Sequence, residues 1–234
     1  VAPTLLLAVR LFWLRRGIAE SAPLDGTEKR SGALTIIRDH PREAGIAFVL
    51  TASGSLAFYT YTSYMQKYLV NSAGFSKEVA TTAAALTLLA YLPFHPFAGL
   101  LSDRIGRRPM MTFTFGGIAL LTYPIMTAIA GTTDIRIAGM LMLGLMLILS
   151  GYASTSAVFK AELFPTHVRA LGVALPYAIA NALFGGSAEY VALWFKQAGM
   201  ENAFFLYVSA MAIVGLIVVR RMRDPSSRNL ILDD

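Results

Sequence analysis

No cysteine occurs anywhere in the chain, so disulfides and thiolate metal sites drop out at once. Histidine is scarce: His40, His95 and His167 stand apart with no ligand spacing, and no metal is expected. The patterns H-E-x-x-H and G-x-S-x-G are absent, which removes the readiest peptidase and hydrolase chemistries. With no nucleotide-binding signature either, the chain is not read as an enzyme. No cofactor is expected, and an ion gradient rather than ATP is the expected energy source. The opening residues Val1-Ala2-Pro3 carry no basic n-region, so no cleavable leader is expected. Charge itself is thin: 15% of residues are Asp, Glu, Lys or Arg, against 56% hydrophobic, with a mean hydropathy of +0.57. That balance excludes an ordinary soluble domain and fits a polytopic membrane protein. The net charge of +6 does not point to nucleic acid, because the basic residues sit in turns and tails between apolar runs.

What the chain does have is long apolar runs separated by short charged turns. Residues 44–66, 79–102, 109–133 and 137–159 contain no Asp, Glu, Lys or Arg. A helix needs about 20 apolar residues to cross a hydrocarbon core of about 30 Å. A backbone in lipid must also satisfy its own hydrogen bonds, which favours helices. The pattern predicts an all-α membrane fold with six spans, over residues 43–70, 78–101, 109–130, 134–159, 168–195 and 202–219. Sixteen Lys and Arg residues, Lys160 among them, fall on the side that holds the turn at 103–108, and four (Lys67, Lys77, Arg136, Lys196) on the other. The richer side is therefore expected to be cytoplasmic.

Residues 1–14 are apolar apart from Arg10 and too short to span. They are expected to be the end of a truncated transmembrane helix, since Val1-Ala2-Pro3 looks like the middle of a longer protein. Residues 15–42, polar with Pro23, Gly26, Gly32 and Pro41, are expected to form a cytoplasmic linker. Residues 43–222 would be the six-helix bundle and 223–234 a cytoplasmic tail.

Gly99, Asp103, Arg104, Gly106, Arg107 and Arg108 fill the pattern G-x-x-x-D-[RK]-x-G-[RK]-[RK] between the second and third spans. Gly106 permits a turn that a Cβ would resist. Asp103 suits a helix N-terminus or an arginine partner, and the arginines suit charge-assisted bonds to neighbouring helix ends. The turn resembles the loop signature of the major facilitator superfamily of secondary transporters; an ordinary positive-inside turn is the plainer alternative. A second segment runs Lys160-Ala161-Glu162-Leu163-Phe164-Pro165-Thr166-His167-Val168-Arg169-Ala170-Leu171-Gly172. It resembles the E-x-F-P-x-x-x-R-x-x-G stretch shared by the metabolite:proton symporter family and its sugar-porter relatives. Residues 58–71, 180–193 and 199–205 resemble a dicarboxylate-importing member of that family.

The resemblance implies the C-terminal six-helix half of a major facilitator superfamily transporter, with the substrate site near the midplane between two halves. The implied partners are the lipid bilayer, a missing N-terminal six-helix half, protons and a small anionic metabolite, with no nucleic acid. The implied activity is proton-coupled symport of a small dicarboxylate, alpha-ketoglutarate foremost, by alternating access in a bacterial inner membrane. Relatives that carry shikimate, citrate, proline or betaine keep other cargoes open, as does an inactive truncated half-transporter. The resemblance further implies that Asp103, Arg107, Glu162 and Arg169 form an inner network that holds the outward-open state; ordinary surface pairs are the alternative.

Within the spans, Ser55, Tyr59, Thr62 and Gln66 recur at i, i+4, i+7 and i+11. That spacing places them on one helical face, which in lipid must look toward protein or water. The face suits either a substrate cavity or hydrogen bonds between helices. Tyr177 and Asn181 share a face of the fifth span beside Pro176, and are further cavity candidates. Pro93, Pro96 and Pro176 free the carbonyls of Leu89, Leu92 and Gly172; His95 suits either a charge change near neutral pH or, as the favoured expectation, a buried neutral ring that bonds a freed carbonyl. Lys67 and Glu189 are charged residues toward the outer ends of the first and fifth spans. Because intramembrane charges are costly, they suit an outer gate or coupling pair, a static interfacial pair, or a lysine that attracts an anionic substrate.

Overall fold

Each apolar run folds as a helix, because in lipid only the i→i−4 ladder satisfies the backbone within a single segment. The computed structural model describes residues 38–166 and 168–222. The expected helix end over 1–14, the linker as far as residue 37 and the tail over 223–234 lie outside them. Six membrane-length helices result: α1 (Pro41–Asn71), α2 (Lys77–Ile105), α3 (Arg107–Gly131), α4 (Ile135–Ala161), α5 (Arg169–Gln197) and α6 (Glu201–Arg221). They match the six expected spans to within a few residues at each end. The link between α2 and α3 is Gly106 alone, with φ of 92°, closing one helix and opening the next. A left-handed backbone at that point favours glycine.

Burial separates an interior helix from the rest. The most apolar stretch of α1 is 67% buried, against 17% for α2 and 22% for α5. Small residues explain the depth of α1: Ala47, Thr51, Ala52, Ser53, Gly54, Ser55 and Ala57 are all buried along it. Short side chains let neighbouring helices come close where lipid supplies no hydrophobic drive. α1 lies against α5 and α6, α6 runs along α3, α3 along α4, and α4 along α2. Aromatic rings fill the core between α1 and α6, where Tyr64 meets Phe204 and Tyr68 meets Phe205, with ring centres 5.5 Å and 5.4 Å apart. Hydrogen bonds tie α1 to α3 and to α6. Tyr61 reaches Thr122 at 2.5 Å, Tyr68 donates to the Met126 carbonyl at 2.7 Å, and Ser53 donates to the Met211 carbonyl at 2.8 Å. Outward, Leu86, Leu89, Leu120, Met140 and Trp194 are exposed, as side chains turned to lipid should be.

Three of the helices are irregular where residues candidate for function stand. α2 breaks at Leu92–Pro93, between α-helical pieces Lys77–Tyr91 and Phe94–Ile105. Pro96 leaves the Leu92 carbonyl without its usual partner, and His95 donates to it from both Nδ1 and its backbone N–H at 3.3 Å. α1 widens into a π-helical turn over Thr60–Tyr64, and α5 into another over Asn181–Gly185. The hydroxyls of Thr60 and Thr62 donate back to the carbonyls of Leu56 and Phe58 beside the first of these.

Candidate functional site

At the arginine-rich end, the Gly106 turn throws Arg107 and Arg108 in different directions. Arg107 forms an ion pair with Glu162, at the end of α4. Arg108 donates to the Val219 carbonyl at 3.2 Å and to the Arg220 carbonyl, capping the end of α6; a cation there also suits the helix dipole. Arg169, at the start of α5, donates from Nε to the Phe164 carbonyl at 3.2 Å. Gly99 is half-buried, whereas Asp103 and Arg104 are exposed and bond no other described residue. The expected four-membered network of Asp103, Arg107, Glu162 and Arg169 is thus narrower here. Asp103 is exposed on α2 and takes no part in the Arg107–Glu162 pair.

The six cavity candidates divide into two groups. Ser55 is buried, next to the Tyr152 hydroxyl of α4. Tyr59 lies against Gly185 of α5, with the Asn181 side chain beside the same glycine. Tyr177 is 46% exposed on α5. Thr62, half-buried, bonds back into its own helix, and the Gln66 amide donates to the Thr81 hydroxyl of α2 at 2.6 Å. The single stripe expected for Ser55, Tyr59, Thr62 and Gln66 is therefore divided: Ser55 and Tyr59 meet α4 and α5, Thr62 bonds back within α1, and Gln66 meets α2. The cause is the π turn, which adds about one residue to the helix and rotates everything beyond it by roughly 100°.

Sequence spacing missed the charged residue at the centre of the first group. Lys160 is 2% exposed. Its Nζ donates to Thr51 Oγ1 at 3.2 Å and sits 4.9 Å from the Tyr177 ring centre and 5.6 Å from that of Tyr152. Thr51 can accept because its own hydroxyl proton goes to the Ala47 carbonyl at 2.7 Å. Tyr152 lies so close to α1 that any Cβ at Gly54 would enter its ring. The expectation that Lys160 belongs to a surface turn is corrected: it faces into the bundle.

At the opposite end, Lys67 and Glu189 do meet, joining α1 to α5 by an ion pair whose side chains remain 47% and 35% exposed. A second cluster beside it was not singled out by sequence. Glu201 accepts from Tyr64 at 2.7 Å and from Ser72 at 2.6 Å, and Lys196 donates to Ser72 at 2.5 Å and to the Asn71 carbonyl at 2.7 Å. These bonds tie the ends of α1, α5 and α6 together. Among the described residues, no three His, Asp or Glu side chains gather as a metal site would need.

Six membrane-length helices, an interior helix with a widened turn, and polar side chains turned inward define an integral, multi-pass membrane protein. The chain belongs to the sugar (and other) transporter family of the major facilitator superfamily, which it matches over residues 26–230. It is 46% identical to the alpha-ketoglutarate permease of Escherichia coli over 215 residues, which is 91% of this chain and 50% of the permease. It is 29% identical to the ectoine/proline transporter ProP of Corynebacterium glutamicum over 86% of this chain and 40% of that protein. It is likewise 29% identical to the proline/betaine transporter of Escherichia coli, over 77% of this chain and 36% of that one. The chain thus spans half or less of the length of these curated relatives, which fits one six-helix half of the fold. No solved structure matches it. The relatives are permeases and transporters, and the chain is not an enzyme.

Proposed function

We propose that the protein is a secondary transporter that imports a small dicarboxylate, alpha-ketoglutarate foremost, with protons across a bacterial inner membrane. The observation that carries this is the 46% identity to an alpha-ketoglutarate permease over 91% of the chain. The bacterial relatives support the inner membrane, and the bias of Lys and Arg supports a cytoplasmic arginine-rich end. Residues 43–222 act as one six-helix half that rocks against another, flanked by a cytoplasmic linker over 15–42 and a tail over 223–234. Ser55, Tyr59, Tyr177 and Asn181 wall the cavity near the midplane, while Thr62 and Gln66 continue its lining, Gln66 toward α2. Lys67 and Glu189 serve as an outer latch, and Arg107 and Glu162, with Arg169 nearby, as an inner one.

The test is uptake of labelled alpha-ketoglutarate by membrane vesicles that carry the protein expressed from its native gene. An acid-outside gradient should drive accumulation, and a protonophore should abolish it. Accumulation of proline or betaine with no alpha-ketoglutarate uptake would move the cargo to that named for the more distant relatives.

A further inference from the structure

A lysine in the last turn of a transmembrane helix ordinarily stretches its ammonium toward the headgroups. Lys160 does the reverse. Helical side chains lean toward the N-terminus of their own helix, and α4 runs toward the arginine-rich end, so the lean carries the ammonium back into the bundle. Its three contacts come from three helices at one depth. Thr51 in α1, Tyr152 in α4 and Tyr177 in α5 each lie roughly 8–10 residues from the arginine-rich ends of their helices, about 12–15 Å at 1.5 Å per residue. Helices of 27–31 residues are about 40–47 Å long and overshoot a hydrocarbon core of about 30 Å at both ends, so the cluster lies inside the bundle between its middle and its arginine-rich end.

The ammonium is poorly matched there. Among the described residues no carboxylate pairs with Lys160, and Glu162, the acid nearest to it in sequence, is held by Arg107. Of its three donors, one finds an oxygen, on Thr51. Two ring faces supply the rest of its surroundings, a weaker substitute for a counter-ion. A buried cation lacking its counter-charge is costly in a membrane, and packing does not require a lysine at this point. What the surroundings lack is one anion. Hydroxyls of Thr51, Ser55 and Tyr152 stand close by, and the Tyr177 ring against the ammonium is itself half-exposed.

We infer that Lys160 is the carboxylate-binding cation of this half, with the Tyr177 ring as its cover. When the ring moves aside, one carboxylate of the transported molecule takes its place against Nζ and the neighbouring hydroxyls. The inference deepens the transport reading above and rests on it for the identity of the anion, but it requires only a carboxylate.

Equilibrium binding of labelled alpha-ketoglutarate, proline and glucose to the purified full-length protein tests this in wild type, Lys160→Gln and Lys160→Arg, with circular dichroism and thermal unfolding recorded for each. Loss of one partner of a desolvated charge pair should weaken carboxylate binding about 100-fold in Lys160→Gln, with helix content unchanged. Lys160→Arg keeps the charge and should recover most of the affinity, which also guards against a misfolded glutamine variant. If wild type binds proline and not alpha-ketoglutarate, the dicarboxylate reading falls, and Lys160→Gln must then lose proline for the inference to stand. Carboxylate binding in Lys160→Gln within about threefold of wild type, or a wild type that binds only glucose, would overturn it.

Discussion

Arg107, the first residue of α3, is ion-paired with Glu162, the capping residue just past the end of α4. Their side chains are 24% and 17% exposed, so the pair is sheltered without being sealed. It joins the start of α3 to the end of α4 beside the single-residue turn of Gly106. A contact of this kind is easily exchanged when helix ends move, because a partly solvated pair holds by only about 1 kcal/mol.

Removing the pair should therefore affect turnover more than folding. Arg107→Gln is expected to lower alpha-ketoglutarate uptake roughly tenfold, within the range of couplings between conformational states, with normal protein in the membrane. The charge-swapped double variant Arg107→Glu with Glu162→Arg should regain part of the rate. Uptake equal to wild type in the single variant would reduce the pair to a static contact.

Asp103 is a sharper case, because the conformation described leaves it exposed with no bond to another described residue. If it works, it works in the other state of the cycle. Asp103→Asn should then leave the melting temperature unchanged and lower the uptake rate, as read by vesicle transport beside a membrane blot. Normal transport at normal expression would remove Asp103 from the gate.

Lys67 and Glu189 meet at the far end with 47% and 35% of their side chains exposed. Such a pair contributes about 0.2–1 kcal/mol and weakens with salt. Lys67→Ala should leave thermal unfolding nearly unchanged and raise the KM for a dicarboxylate several-fold, most visibly at low ionic strength. Unchanged kinetics would leave only the interfacial role.

These residues differ in how far sequence alone exposes them. The six helices are legible because charge cannot sit cheaply in lipid, so charge-free runs mark the spans almost directly. Gly106, Arg107 and Glu162 are legible from their turn signatures, and Lys67 and Glu189 from being charges inside apolar runs. The π turn at Thr60–Tyr64 leaves no such trace: it has neither proline nor glycine to mark it. It is why Thr62 and Gln66 leave the face that ideal spacing gives them. Lys160 is hidden for a different reason. Its position, one residue before the end of α4, is where lysines usually reach outward, and only the direction of the side chain shows otherwise.

Gly54 tests how tightly that inner region is built. A Cβ there would enter the Tyr152 ring, so Gly54→Val must displace Tyr152 from its place beside Lys160, Thr51 and Ser55. Overpacking of this kind costs about 1–3 kcal/mol, and a lower melting temperature in detergent should report it. Gly54→Val with Tyr152→Ala should recover stability, because the second change removes the ring that the valine meets. Recovery of stability without recovery of uptake would separate the packing role of Tyr152 from its role at the site.

The hydrogen bond between Tyr61 and Thr122 makes an asymmetric prediction. Both side chains are fully buried, their oxygens are 2.5 Å apart, and Thr122 also bonds the Ile118 carbonyl at 2.6 Å. Since Thr122 spends its only proton on Ile118, Tyr61 must be the donor in the pair. Tyr61→Phe then removes a donor while Thr122 keeps its own bond, and should cost only about 0.6 kcal/mol, the average for such bonds between membrane helices. Thr122→Val instead strands a buried phenol with no acceptor, which costs about 1–3 kcal/mol. The double variant should be more stable than Thr122→Val alone, because it removes the stranded hydroxyl as well. Unfolding of the three variants in mixed micelles measures the order directly; Tyr61→Phe proving costlier than Thr122→Val would reverse the donor assignment.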